Sequence, residues 1–208
     1  MNILNTVKIP GMIEEVEQKT LFRIASTISL DNRDQIVEFG AFFGRSTYCL
    51  AAGLFNNPTF NPLLHKVVTY DSFSCSASGE FAQHVRGHAR ASGVEKLLVQ
   101  EDGWIDFAPV FEHFLAAHVS SGTVMRVRAE INDSYPLDGP IALMHVDSPK
   151  HWVELHTLAE RFFRNFELGP LLSSKIFSTT GLRRSSPLLK QWFKWACFSM
   201  SYQLHPQW

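Results

Sequence analysis

Apolar positions recur along this chain with two periods, one helical and one of strand type. Over residues 13 to 29, IEEVEQKTLFRIASTIS, the residues Ile13, Val16, Leu21, Ile24 and Ile28 fall near helical spacing. Acids occupy the first turns, where the positive end of the helix dipole favours them, so residues 1 to 30 are expected to carry a leading helix that starts after Pro10 and Gly11. LDNRD separates it from QIVEFG, which predicts a first strand over about 36 to 40. Gly40 to Gly44 form a tight turn, and RSTYCLAAGLF continues as helix until the Asn- and Pro-rich NNPTFNP. HKVVTYD, residues 65 to 71, predicts a second strand, followed by a Ser-rich loop and a helix over about 79 to 92.

Further along, KLLVQ reads as a short strand and DFAPVFEHFLAAHV as a helix starting near Pro109. TVMRVRAEI (123 to 131) and IALMHVD (141 to 147) are strands, the second a nearly continuous apolar run of the kind buried on both faces of a parallel sheet. A helix over 149 to 166 follows, and LLSSKIFSTTG supplies a fifth strand. Strands alternating with helices predict an α/β fold: a Rossmann-like, doubly wound, mostly parallel sheet with helices on both faces. Residues 181 to 208 have room for one helix (about 187 to 197) and one short strand, so this atypical end predicts a sheet shortened at the C-terminus.

Composition narrows the classes. A chain of 208 residues that is 45% hydrophobic, with 17 Phe, can bury one sizeable core, so residues 1 to 208 are expected to form a single domain. The 19 basic and 20 acidic residues leave a formal charge of −1, which provides no global field for nucleic acid or an anionic membrane. Cys49, Cys75 and Cys197 are too few and scattered for a disulfide framework. With no secretory pattern at the start and no run near the ~20 apolar residues of a membrane span, the expected location is the cytoplasm. Arg183, Arg184, Lys190, Lys194, Trp192 and Trp195 concentrate in the tail, which could cover a subunit contact in a homo-oligomer, touch a membrane surface, or pack as an ordinary amphipathic helix.

In a doubly wound sheet, ligands sit beyond the carboxyl ends of the strands, which directs attention to VEFGAFFGRST. Gly40 and Gly44 follow a strand and open a helix, so the backbone can turn sharply and a ligand can approach bare amides. Glu38, at the strand end, can accept hydrogen bonds from a cationic amino-acid ligand, and Asp71, at the end of strand two, from both hydroxyls of a ribose. The plain alternative is a tight connection beside two solvated acids. A phosphate loop is excluded because three residues, not four, separate the glycines and Arg45 stands where Lys is needed; a dinucleotide fingerprint is excluded because position 42 is Phe.

VEFGAFFGRST, VVTYDSF and GPIALMHVDSPKHW, in that order, resemble the cofactor motifs and fourth strand of class I S-adenosylmethionine (SAM)-dependent methyltransferases, over roughly residues 10 to 180. The likeness is to bacterial small-molecule and sugar O-methyltransferase relatives in particular. It implies SAM as cofactor, with Glu38, Gly40 and Gly44 around its methionine part, Asp71 at the ribose and Glu130 near the adenine. It also implies methyl transfer to a small molecule, a hydroxyl of a sugar or secondary metabolite. Asp147 and His151 are the catalytic candidates: Asp147 ends strand four, and His151 lies in the first helical turn beyond it, where the dipole favours a neutral, proton-accepting ring. Ser148 and Pro149 read as a helix cap, His145 as a core histidine, and Trp152 as an aromatic that walls the pocket or simply packs. No carboxylate follows the fifth strand, so no metal is expected. His84 and His88, four apart, lack the Glu of a metalloprotease helix. The other readings are a non-catalytic SAM- or nucleoside-binding protein and an interaction module of the same fold.

Overall fold

The computed structural model describes residues 8–31, 33–137, 139–148, 152–162 and 176–179. In chain order these give α1 (Glu15–Thr27), β1 (Gln35–Phe39), α2 (Arg45–Phe55), β2 (Lys66–Asp71), β3 (Ser74–Ser76) and α3 (Glu80–Ala91). They continue with β4 (Val99–Glu101), β5 (Trp104–Asp106), α4 (Ala108–Ser120), β6 (Val124–Arg128), β7 (Ile141–Val146), α5 (Trp152–Phe162) and β8 (Ile176–Thr179). Five strands pair in parallel in the order β6-β2-β1-β7-β8. This is the doubly wound sheet that the alternating pattern predicts. The expected tail helix at 187 to 197, the strand after it, and His151 lie outside the described residues.

Alternation with period two sends successive side chains of each strand to opposite faces. Ile36 and Val67 pack with Phe43, Leu50, Phe111 and Leu115 on the face covered by α1 to α4. Val37, Phe39, Val68 and Tyr70 pack with Leu158 and Phe162 of α5 on the other. The Phe162 ring meets Phe39 edge-on at 4.8 Å and Tyr70 at 5.5 Å. Each such ring, removed from water, contributes about 1.5–3 kcal/mol, and the fully buried Phe39, Phe43, Phe73, Phe107, Phe111 and Phe162 help hold a sheet covered on both faces.

The leading helix is part of this core. A Cβ on Gly53 of α2 would stand 2.4 Å from the Phe22 carbonyl oxygen of α1, so the two backbones touch because position 53 has no side chain. Buried Asn57 then donates its amide to the carbonyls of Ala25 (3.0 Å) and Ile28 (2.8 Å), satisfying groups that a helix end leaves unpaired.

Between Asp71 and α4 the expected helix is present as α3, Glu80–Ala91, and the Ser-rich loop before it contains a short strand, β3. β3, β5 and β4 form a separate antiparallel sheet, with α3 beside it. Asp102 (φ 48°) and Gly103 (φ 79°) are both left-handed, a two-residue hairpin turn that pairs Val99–Glu101, which takes up the end of KLLVQ, with Trp104–Asp106 instead of with the large sheet. This unit leaves and rejoins the fold at one neck, where the Phe107 amide donates to the Phe73 carbonyl at 2.9 Å and the two rings lie 6.1 Å apart.

Candidate functional site

A cleft of about 500 Å³ opens at the carboxyl ends of β2, β1 and β7. The strand ends contribute Gly40, Asp71, Glu130, Asp147 and Ser148, and the inserted unit contributes Ser74, Phe81 and His84. Met12, Phe42, Phe107 and Glu154 complete the parts that matter chemically.

The floor is built by close approach of two turns. Gly40 sits at φ 91°, and a Cβ there would fall 2.7 Å from the Ser148 Cβ and 2.9 Å from its amide nitrogen. Only glycine lets the exit of β1 pass the exit of β7 at this distance. The Asp147 amide donates to the Phe39 carbonyl at 2.9 Å, extending the β1–β7 ladder until its side chain reaches the cleft. Gly44, also left-handed at φ 92°, lies below the cleft at the start of α2; a Cβ there would meet Leu115 at 2.5 Å and Phe111 at 3.0 Å. Its small size serves the packing of α2 on α4.

The acids divide in the same way. Asp71 lines the cleft half-buried, its Oδ2 accepting the Phe42 amide at 2.9 Å and its Oδ1 the Phe73 amide at 2.7 Å. Burial pushes its pKa up, those amides and that of Ala41 pull it down, and the Glu38 carboxylate adds to the rise. Glu38 is fully buried beneath the cleft, in register with Thr69 on β2 and His145 on β7. The Thr47 hydroxyl donates to its Oε2, while Oε1 has no hydrogen-bond partner among the described residues. Burial raises its pKa to about 7, against the hydroxyls of Ser46, Thr47 and Thr69 and with help from the Asp147 carboxylate. His145 is buried beside it.

Of the residues singled out from sequence, the cleft therefore gathers Gly40, Asp71, Glu130 and Asp147, with Glu38 and Gly44 just below. Sequence reasoning missed the aromatic side. Phe42, Phe81 and Phe107 approach one another with ring centroids 5.7 to 6.4 Å apart, and His84 stands one turn along α3 from Phe81. An exposed Phe three residues before a His, on a helix whose buried positions are Ala82, Val85 and Ala89, was the available signal. Among the described residues no group of three or more His, Cys, Asp or Glu gathers in a metal-holding arrangement, and no helix is long and apolar enough to cross a membrane.

No family model matches this chain, and no curated protein matches it in sequence. Solved structures do. A SAM-dependent O-methyltransferase from Thermotoga maritima is 14% identical, with a TM-score of 0.44 over 92% of this chain and 52% of its own. CalS11, a TDP-rhamnose 3'-O-methyltransferase of calicheamicin biosynthesis, is 18% identical with a TM-score of 0.47, over 88% of this chain and 67% of its own. The CcbJ methyltransferase from Streptomyces caelestis is 11% identical with a TM-score of 0.45, over 83% of this chain and 55% of its own. The chain spans between about half and two thirds of the length of these three.

Proposed function

We propose that the protein binds SAM in this cleft and transfers its methyl group to a small molecule, at a hydroxyl of a sugar or secondary metabolite. One observation carries the reading. Four carboxylates, Asp71, Glu130, Asp147 and Glu154, line a cleft at the ends of parallel strands, and among the described residues no Lys or Arg lines it. Such a lining disfavours a phosphate-bearing nucleotide and favours a nucleoside with net positive charge, which SAM is through its sulfonium and ammonium groups. The residues fit the parts of the molecule. Asp71, with both oxygens already oriented by backbone amides, retains lone pairs for ribose hydroxyls, Glu130 stands on the neighbouring strand's exit, and Gly40 lines the cleft beside the exit of β7, where the amino-acid end would lie.

Bound there, SAM supplies an electrophilic methyl: an acceptor oxygen forms the new C–O bond as the C–S bond breaks, and sulfur keeps that electron pair. The chain then has two tasks, holding the acceptor in line and taking its proton. Asp147, just after β7, lines the cleft and is the proton acceptor in this reading, with His151 as the other candidate.

Calorimetry with SAM tests the binding half, with a micromolar-range Kd expected, on the order of −8 kcal/mol; absence of binding removes the proposal. Screening hydroxylated sugars and phenols with labelled SAM tests the transfer. On any acceptor found, Asp147→Asn should keep SAM affinity within a few fold yet lower turnover by roughly 10²–10⁴. If neither Asp147→Asn nor His151→Ala changes turnover, proton transfer belongs to other residues.

A further inference from the structure

We propose that Arg161, on α5 and outside the cleft lining, is a positioning residue: it holds the loop that presents Glu130 to the adenine of the cofactor. The inference rests on the reading that SAM occupies the cleft with its adenine beside Glu130, and adds what fixes that carboxylate in place.

Glu130 lies just beyond Arg128, the last paired residue of β6, and the chain then makes a single 3₁₀ turn, Ile131–Asp133. A turn that short closes few hydrogen bonds of its own. The carbonyls around it are met instead by side chains. That of Glu130 accepts the Asp133 amide at 3.0 Å and the Ser134 hydroxyl at 2.8 Å, which occupies both of its lone pairs. Nη1 of Arg161 donates to the carbonyls of Asn132 at 2.6 Å and Ser134 at 3.0 Å, and the Tyr70 hydroxyl donates to that of Tyr135 at 2.7 Å. The guanidinium is braced in turn by the Tyr135 ring, whose centroid lies 4.2 Å from its carbon. Ile131 and Leu137 complete the seat by packing against the cluster that holds Leu158 and Phe162 of α5. Ser134 links the two ends of this clamp: it is 1% exposed, its hydroxyl holds Glu130 and its carbonyl is held by Arg161. An ionised carboxylate only accepts hydrogen bonds, so at an adenine it recognises the exocyclic amine and rejects an oxo group in the same place. Hydrogen bonds weaken steeply with misalignment, so this choice depends on where the loop sets Glu130.

S-adenosylhomocysteine and S-inosylhomocysteine, in which an oxo group replaces that amine, test this by calorimetry on the full chain. The parent is expected to prefer the adenine ligand by about tenfold, because the inosine ligand sets acceptor against acceptor. Glu130→Gln should narrow that preference, since an amide can both donate and accept. Arg161→Met and Ser134→Ala, which cut the clamp at its two ends, should each narrow it by about fivefold, and Arg161→Met added to Glu130→Gln should narrow it no further. A purely structural role for Arg161 would lower the melting temperature and both affinities together, with their ratio unchanged. That result in the two clamp variants, or a parent that binds both ligands equally, overturns the inference and leaves the cofactor reading standing. If S-adenosylhomocysteine does not bind the parent at all, the cofactor reading fails and takes the inference with it.

Discussion

The carboxylate of Asp71 accepts the backbone amide of Phe42 at 2.9 Å, so the end of β2 and the turn after β1 are one mechanical unit. Its second oxygen accepts the amide of Phe73, and both phenylalanines are held left-handed, at φ 51° and 53°, a region that side chains disfavour. One acid therefore stabilises two costly turns while facing the cleft.

Removing it should cost twice. Asp71→Ala is expected to weaken SAM binding by ~1.5–3 kcal/mol and also to lower the melting temperature, because two amides lose their acceptor. Asp71→Asn should lower the melting temperature less than Asp71→Ala, since its carbonyl oxygen still accepts one of the two amides and its NH₂ group cannot accept the other. Calorimetry and thermal unfolding check the two effects. Unchanged SAM affinity in the alanine variant would place the nucleoside elsewhere.

Glu38 gives stability a pH dependence with a definite sign. Its pKa in the fold, about 7, lies above the ordinary 4.5, so the folded protein binds more protons than the unfolded chain between those values. Its contribution is full below pH 4.5 and is lost as pH rises through about 7. Between pH 5.5 and 8.0 this amounts to about 2 kcal/mol in favour of the acid side. Urea unfolding of the parent and of Glu38→Gln at both pH values tests it: the pH difference should shrink by about that amount in the variant.

The two turn glycines should separate in their effects. Gly40→Ala forces a left-handed alanine against Ser148 at the cleft floor, so both stability and SAM affinity are expected to fall. Gly44→Ala pushes instead on Leu115 and Phe111, so the melting temperature should drop while the folded fraction keeps its SAM Kd within a few fold. Equal losses of affinity would show that Gly44 also shapes the site.

The large sheet was legible because its strands are apolar runs of ordinary length and its helices carry periodic faces, as in IALMHVD and residues 152 to 162. Asp71 and Asp147 could be placed because a strand's last residue is an end in any register. The inserted sheet was harder, since β3 is three polar or small residues, Ser74–Ser76, with no period to read. Its one strong mark, Asp102-Gly103 between short strands, is a hairpin signal that apolar periodicity does not register. The depth of Glu38 was illegible for another reason. A carboxylate at a strand end reads as solvated, and only the fold shows that Thr47, from the next helix, closes over it.

The neck at Phe73 and Phe107 has a consequence for how such a protein can change. A segment whose two ends are joined by a hydrogen bond of 2.9 Å can be lengthened or shortened at its outer turns without moving either strand that flanks it, while Ala82, Val85, Ala89 and Ile105 keep their places in the core. Because Phe81 and His84 ride on that segment while Asp71, Glu130 and Asp147 do not, the two walls of the cleft are inherited from separate stretches of chain. Exchanging only the cleft-facing residues of that segment, Phe81 and His84, should therefore alter which molecules enter, and leave the acidic floor as it stands.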